Sequence, residues 1–334
     1  MKSPYVLAQN ILSTMDNAAP FTSMELYGAS AQKAETADGL CRRFHLENES
    51  GTGDVTLYRV FPGIELAYND MHMAYCNQQQ QPMPHVMEIN YCKEGRCECL
   101  FEPHQYCYMS AGDLSFCSLH EQAHQSEFPT SHYHGITVTL DFSAVTDEMR
   151  AVLTMLCVDL ERIRALSQSR KFTIIRANST IEHIFSELYQ APAAIRHGYI
   201  RVKMLELLLV LTELDPAAEP LPPIHFSSAQ IETVKQVHAF LIEHFQEHHT
   251  IAELSERFQL SPTVLKKCFR SIYGDSIYSY RKRFRLQTAE RLLRETDWTI
   301  GEIAAQIGYL NPNKFTSAFC AEYGVPPTAY RKEV

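Results

Sequence analysis

A chain of 334 residues, 45% hydrophobic and 21% charged, has the composition of an ordinary globular protein and is long enough to bury a core in each of two domains. No apolar run approaches the roughly 20 residues a membrane helix needs; the longest candidate, 204–214, is interrupted by Glu206 and Glu213. The net charge of −9 excludes a uniformly basic nucleic-acid binder, but residues 1–227 carry 16 Lys+Arg against 27 Asp+Glu, whereas residues 257–334 carry 13 against 7. A local basic excess of that kind is an electrostatic footprint for a polyanion. The first 17 residues contain one lysine and no sustained apolar core, so they do not read as a secretory signal and a cytoplasmic protein is expected. In that compartment the ten cysteines are expected as free, mostly buried thiols rather than as a disulfide framework.

In chain order, helical spacing runs from Tyr5 to Met15, and the segment 47–53 is a turn-rich break. From Asp54 the period changes to two, and strands are expected at 55–61, 64–68, 85–91, 97–101, 105–109, 114–118 and 135–142. Turns separate them at Pro62-Gly63, at Lys93-Glu94-Gly95-Arg96 and at Ala111-Gly112-Asp113. Many short strands at this spacing predict a β-barrel or jelly roll, with small-molecule binding at its mouth. Helices follow at 149–166 and 181–189, with an extended stretch at 172–175 between them. A longer helix, 194–214, carries Ile200, Met204, Leu207, Leu208 and Leu211 on one face, broadened by Val202, Leu205 and Leu209. That stripe must be covered, either by the barrel or by a second copy of the chain, and periodicity does not separate the two. Residues 215–227, with four prolines, read as a semi-rigid linker.

The remaining chain is helical and repeats itself. A leading helix, 228–248, buries Ile231, Val234, Val237, Leu241 and Phe245. Thr250 and Glu253 form a capping box for a helix at 251–258. Ser261-Pro262 opens the next, with Val264, Leu265, Cys268 and Phe269 turned inward and Thr263, Lys266, Lys267 and Arg270 outward. A basic helix, 277–294, follows, in which Arg281, Lys282, Arg283 and Arg285 read as a solvated charge run. At 1.5 Å per residue it extends about 27 Å, enough to hold two helices in successive major grooves. Then Leu265, Phe269, Tyr273, Gly274, Tyr280 and Arg281 recur as Phe315, Phe319, Tyr323, Gly324, Tyr330 and Arg331, each at the same offset. Ile300, Ile303, Ala304 and Ile307 form a helix that Gly308 ends. Asn311-Pro312 opens a second, leaving Asn313, Lys314, Thr316 and Ser317 outward of Phe315 and Phe319. Repetition at a fixed period predicts two tandem helix-turn-helix units.

Leu260-Ser261, Leu265, Phe269, GDSIYSYRKRFRLQTAERLL from Gly274, IGEIAAQIGY from Ile300 and the closing YGVPPTAYR resemble the AraC/XylS family of bacterial transcription regulators over about the last hundred residues. The resemblance implies a seven-helix domain whose two recognition helices enter adjacent major-groove segments beside a promoter, usually to recruit RNA polymerase. Carried over by position, the base-contacting residues are Thr263, Lys266 and Lys267 in the first unit and Asn313, Thr316 and Ser317 in the second. Gln259 stands where a glycine is common in the first turn, and Ser317 where arginine is common in the second recognition helix. Family members with an N-terminal barrel resemble cupins and usually sense a small molecule there. The opening Phe61-Pro62-Gly63-Ile64 and the late helical segment look like those of regulators of siderophore uptake.

The expected architecture is α+β: a cupin-like sensing barrel at 1–170, a helical dimerisation and coupling segment at 171–214, the linker at 215–227, and an all-α domain of two helix-turn-helix units joined by a long helix at 228–334. The expected function is that of a ligand-controlled, sequence-specific transcription regulator, an activator acting as a homodimer with promoter DNA, RNA polymerase and a small-molecule effector as partners. Its DNA-facing set is Thr263, Lys266, Lys267, Arg270, Asn313, Lys314, Thr316 and Ser317. No Ser-His-Asp set, phosphate-cradling loop or paired carboxylates can be placed, so neither catalysis nor a cofactor is expected. The alternative is a metal- or thiol-redox-sensing regulator, or a metal-dependent cupin enzyme fused to a DNA-binding tail. It rests on a crowd of His and Cys between His85 and His134, in which Cys97 and Cys99 share one side of a strand, as do His132 and His134 if that stretch is extended. No metal ligands are assigned from it, because Glu88-Ile89-Asn90 lacks the His-x-His that a cupin site wants. Arg96 beside Cys97 is the one basic neighbour that suits a reactive thiolate.

Overall fold

The computed structural model describes residues 31–35, 41–77, 82–101, 105–119, 125–168, 172–215 and 226–333. The chain divides into two compact units, residues 1–223 and 224–334. The helix expected at Tyr5–Met15 lies outside the described residues. Among the described residues, no helix is long and apolar enough to cross a membrane.

The first unit is an antiparallel sheet of β1 (Ala31–Glu35), β2 (Cys41–Asn48), β3 (Gly51–Phe61), β4 (Ile64–His72), β5 (Tyr75–Asn77), β6 (Val86–Phe101), β7 (Gln105–Ser110), β8 (Asp113–Ser118), β9 (Gln125–Glu127), β10 (Tyr133–Asp141) and β11 (Phe172–Arg176). Its main path runs β1-β2-β3-β4-β10-β6-β8-β11, while β5, β7 and β9 join through β6. Among the described residues this path has two ends, β1 and β11, so the pairing shows an antiparallel sheet and not its closure into the barrel or jelly roll expected from the turns. Two expectations are corrected. The turn placed at 93–96 is instead a bend within β6. Its first half pairs with β8 and β10 and its second with β7 and β9, and Gly95 takes φ +80° there. Four strands, β1, β2, β5 and β9, stand where none was expected. The helix placed at 149–166 is two, α1 (Asp147–Met155) and α2 (Leu160–Gln168), because Cys157 at φ +60° breaks the winding.

After α2 come β11, α3 (Ser179–Tyr189), a 3-10 turn (Ala193–Ile195) and α4 (Arg196–Thr212). The alternation of the strands sorts two cores. Ile64, Leu66, Ile89, Tyr91, Phe116, Ile136 and Val138 pack with Ile163, Ile184, Phe185, Met204 and Leu208 of the helices. The opposite face gathers Phe44, Val55, Leu57, Ala67, Met71, Cys92 and Cys117. On α4 the stripe splits: Ile200, Met204, Leu207, Leu208 and Leu211 are buried in the first core, while Val202 and Leu209 are exposed.

The second unit comprises α5 (Ser228–Glu243), α6 (Ile251–Arg257), α7 (Pro262–Tyr273), α8 (Ile277–Glu295), α9 (Ile300–Gln306), α10 (Pro312–Tyr323) and α11 (Pro327–Glu333). Thr250 with Glu253 and Thr299 with Glu302 form capping boxes at α6 and α9, and a third caps α5 through Ser227 and Gln230. Both α7 and α10 begin with proline after a capping Ser261 or Asn311 and end on a left-handed glycine, Gly274 or Gly324. The turns between paired helices differ by one residue. In the second, Gly308 sits at φ +78° against the carbonyl of Gln246, where a Cβ would stand 2.2 Å away. In the first, Gln259 holds the left-handed conformation at φ +54° without being glycine.

The repeat extends into the packing. Phe269, Tyr273 and Tyr280 form a triangle of rings at 4.6, 5.4 and 5.6 Å; Phe319, Tyr323 and Tyr330 form its counterpart at 4.4, 5.5 and 5.6 Å. In the first triangle His238 stacks on Tyr273 at 4.1 Å and meets the Tyr280 hydroxyl at 2.7 Å. Burial pushes the His238 imidazole down to about 4, so at neutral pH the ring that meets the tyrosine hydroxyl is uncharged.

Two stability predictions follow from this unit, both readable in the whole chain because its single tryptophan, Trp298, lies here. A left-handed non-glycine residue costs about 1–2 kcal/mol, while glycine there carries a larger unfolded-state entropy. Gln259→Gly should therefore raise the Trp298 unfolding midpoint in urea by ~0.5–1 kcal/mol, and an unchanged midpoint would show that the turn is unstrained. His238 is a base whose folded value lies below the ordinary 6.5. The unfolded chain takes up its proton first as pH falls, so stability is complete above 6.5 and lost between 6.5 and about 4, at up to ~1.4 kcal/mol per pH unit. His238→Gln should flatten the Trp298 midpoint over that window; an unaltered slope would assign the acid sensitivity elsewhere.

Candidate nucleic-acid interface and sensor face

On α7, Leu265, Cys268, Phe269, Ile272 and Tyr273 are buried, which fixes the helix's rotation and leaves Thr263, Lys266, Lys267 and Arg270 exposed. On α10, Phe315 and Phe319 are fully buried; Asn313, Lys314 and Ser317 are exposed, and Thr316 is half-buried. The Thr316 hydroxyl donates to the Pro312 carbonyl and the Ser317 hydroxyl to that of Asn313, both at 3.0 Å. Their protons are thereby spent on the helix, and what they offer outward is oxygen lone pairs. Thus α7 presents three cations and α10 a short polar edge with one.

The basic connector α8 behaves differently from the solvated run expected of it. Arg285 donates to the carbonyls of Phe245 (2.6 Å), Gln246 (3.1 Å) and Glu247 (2.8 Å). Arg281 donates to those of His249 (3.3 Å) and Glu247. Those carbonyls close the C-terminal end of α5 and the loop into α6, where no intrahelical donors remain. Arg283 pairs with Asp275. In the second unit Arg331, the repeat partner of Arg281, donates to the Leu293 carbonyl at the end of α8 at 3.4 Å. Guanidinium groups engaged with carbonyls hold the loop together and are poorly available to phosphate. The signal for this was in the repeat itself, since Arg281 and Arg331 recur at the fixed offset.

On the second face of the sheet in the first unit, the alternation that buries Ile89 and Ile136 with the helices turns Glu65, Asn69, Glu88, Asn90, Ser115, Thr137 and Thr139 the other way. Asn69 Nδ2 donates to Thr137 Oγ1 at 2.9 Å, and Thr137 donates to Asn90 Oδ1 at 2.7 Å. Ser115 Oγ is buried without a hydrogen-bond partner. Burial pushes the Glu88 carboxyl up to about 7, offset in part by a hydrogen bond with Asn90. No single segment of the sequence signals this patch, because its members come from four strands.

Of the cysteines described, Cys157 is exposed, Cys320 half-buried and the rest covered. Cys41, Cys76, Cys92, Cys97, Cys117 and Cys268 are buried, and burial pushes the thiols of Cys76, Cys92 and Cys268 up to about 11, 12 and 12, far from the thiolate a redox sensor needs. His85 is exposed. His104, His120 and His124, and the side chains of Cys99 and Cys107, lie outside the described residues. His132 and His134 do stand side by side, with ring centroids 4.7 Å apart.

Residues 254–333 match a family model described as a helix-turn-helix domain. The chain is 31% identical over 107 residues to the uncharacterized HTH-type transcriptional regulator YisR of Bacillus subtilis, covering 32% of this chain and 37% of that protein. It is 34% identical over 94 residues to the HTH-type transcriptional activator RhaR of Cronobacter sakazakii, covering 28% and 30%. Thus the chain spans about a third of the length of the curated relatives it matches. Among solved structures, the DNA-binding domain of AdpA in complex with a target DNA is 28% identical, covering 30% of this chain and 91% of that one, with a TM-score of 0.29. ToxT from Vibrio cholerae is 11% identical, covering 80% and 97%, with a TM-score of 0.30. The tandem repeat, its caps and the matched residues together identify the C-terminal helices as those of the AraC/XylS family of transcription regulators.

Proposed function

We propose that the protein is a sequence-specific transcription regulator, an activator acting in the cytoplasm, which reads promoter DNA through α7 and α10 and recruits RNA polymerase. The observation that carries this reading is the paired rotation of the two helices. Each buries its aromatic or aliphatic face and turns Thr263, Lys266, Lys267 and Arg270, or Asn313, Lys314, Thr316 and Ser317, outward. Lysine and arginine on α7 would supply most of the phosphate attraction, and the polar edge of α10 would read base edges. The domain division behind this reading is a sensing domain at 1–170, a coupling segment at 171–214, a linker at 215–227 and the DNA-reading domain at 228–334.

A small-molecule effector would bind in the first unit, on the polar patch around Glu88, Asn90, Ser115 and Thr137, where hydrogen-bonding groups are already gathered inside an apolar face. A second copy of the chain would cover the exposed Val202 and Leu209 of α4, seven residues apart on one side of that helix. Effector and dimer geometry are then coupled if the two states of the sheet bind effector unequally.

Four measurements test these assignments. Lys267→Ala and Asn313→Ala should each weaken operator binding by ~1–3 kcal/mol and relax sequence preference, measured by titration of specific and scrambled duplexes across salt concentrations. Arg285→Ala should instead lower the Trp298 unfolding midpoint and leave the salt slope unchanged. Indifference of binding to both Lys267→Ala and Asn313→Ala would remove the reading surface. In the intact chain, a metabolite screen by thermal shift should yield a stabilising compound whose effect Glu88→Ala abolishes. Val202→Arg with Leu209→Arg should convert dimer to monomer in sedimentation. A compound that stabilises the Glu88→Ala chain equally, or a double variant with an unchanged sedimentation coefficient, would refute the respective assignment.

A further inference from the structure

His72 ends β4, His134 lies near the start of β10, and His132 precedes that strand by one residue. Antiparallel pairing of β10 with β4 sets His134 opposite Asp70, and the bend in β6 sets it opposite Glu94. By strand alternation Asp70 and His72 share the face of Ile64, Leu66 and Tyr68. The Tyr68 hydroxyl donates to the Leu188 carbonyl at the end of α3, so the histidines lie on the helix-covered face, further along β4. They are on the opposite side of the sheet from the Glu88 patch.

The three imidazoles converge. Ring centroids stand 4.7 Å apart for His132 and His134, 5.2 Å for His72 and His132, and 5.7 Å for His72 and His134. One ring nitrogen of each lies within 4.8 Å of the other two. Two carboxylates bracket them. Asp70 Oδ1 contacts Nε2 of both His134 and His72, the latter at 2.9 Å. Glu94 Oε2 lies 3.8 Å from His132 Nε2 and 3.9 Å from His134 Nδ1, while its other oxygen pairs with Lys93 at 2.9 Å. The backbone holds His132 in place. Gly95, at φ +80°, passes so close that a Cβ there would stand 2.0 Å from the His132 carbonyl. Arg96 N–H and the Thr130 hydroxyl donate to that same carbonyl at 3.4 and 3.2 Å, and Ser131 before it adopts φ +51°. A strained non-glycine residue next to a gathered set of ligands is where local strain commonly serves function.

We propose that His72, His132 and His134 form a binding site for a divalent late first-row metal ion, zinc above all. Imidazole nitrogen suits zinc, copper and nickel and is a poor match for calcium or magnesium. Bonds of about 2.0–2.1 Å place tetrahedral ligands roughly 3.4 Å from one another, so rotations of the half-exposed rings close the set without moving the strands. Asp70, already on two of the rings, orients them in the carboxylate–histidine manner or supplies the fourth ligand. The sequence pairs only His132 with His134: His72 stands 60 positions before His132, and only the β4–β10 pairing joins it to them. It is also independent of the DNA-binding reading, since the probe is the metal itself.

The test is isothermal titration of the untagged full chain, stripped with chelator, with zinc chloride, alongside His132→Asn, His134→Asn and the triple variant with His72→Asn. His183→Asn on α3 serves as the control. One equivalent should bind in the parent and in the control, with at least a tenfold loss of affinity in each single variant and no specific site in the triple variant. Cobalt(II) should give the visible d–d absorption of a tetrahedral site in the parent and the control and not in the triple variant. Should a variant fail to fold, zinc protection of His72, His132 and His134 from carbethoxylation in the unsubstituted chain, mapped by peptide mass, decides the matter. Equal zinc uptake by the parent and triple variant, or equal carbethoxylation of the three histidines with and without zinc, overturns the proposal.

Discussion

The second unit depends on one contact made twice: a phenylalanine of α7 or α10 locked between two tyrosines. Phe269 with Tyr273 and Tyr280, and Phe319 with Tyr323 and Tyr330, form near-congruent triangles. Each joins α7 or α10 to the helix that follows the next turn. Aromatic rings bury large areas and prefer tilted and edge-on geometries, so a triangle of this kind fixes rotation as well as position. Rotation is what decides which residues face outward. The polar end of each triangle is satisfied differently: the Tyr280 hydroxyl meets a neutral His238, whereas Tyr330 donates to Glu290 at 2.8 Å and accepts from Arg294 at 2.6 Å. A duplicated scaffold has kept its rings and replaced their hydrogen-bond partners.

Positive charge in this unit is divided between two tasks. Arg281, Arg285 and Arg331 close helix ends by donating to backbone carbonyls, where the planar guanidinium outperforms lysine because several donors reach neighbouring acceptors at once. Lys266, Lys267 and Arg270 stay in solvent. The basic excess of the C-terminal region therefore overstates the charge free to meet a phosphate backbone, and α7 carries a larger share of that charge than α10.

In the first unit the long strand β6 links the parts of the sheet. It pairs with β8 and β10 before its bend and with β7 and β9 after it, and the same bend brings Glu94 to the histidines. The sheet's two faces consequently hold two chemically distinct sets: a hydrogen-bonded patch around Glu88 among apolar side chains, and a half-exposed group of imidazoles and carboxylates. A sheet can host both because alternate residues of one strand never share a side.

Local patterning determined much of this chain. The helix-turn-helix repeat, its capping residues and the inward Phe315 and Phe319 were legible because helix caps and a 3.6-residue period are short-range properties written within a dozen residues. The strands β3, β4, β7, β8 and β10 were legible for the same reason, and so was α4, whereas β5 and β9 were not read and β6 was read as two strands. Tertiary structure decided the rest. The pairing of distant strands assembled the Glu88 patch and brought His72 to His132 and His134, and long-range order of that kind leaves no mark on local periodicity. Burial converted Arg281 and Arg285 from surface charge into helix-end donors. Packing also divided the apolar stripe of α4, sending Met204 and Leu208 to the core and leaving Val202 and Leu209 outside, since a helix's period gives the width of its apolar face and not how much of that face its neighbours cover.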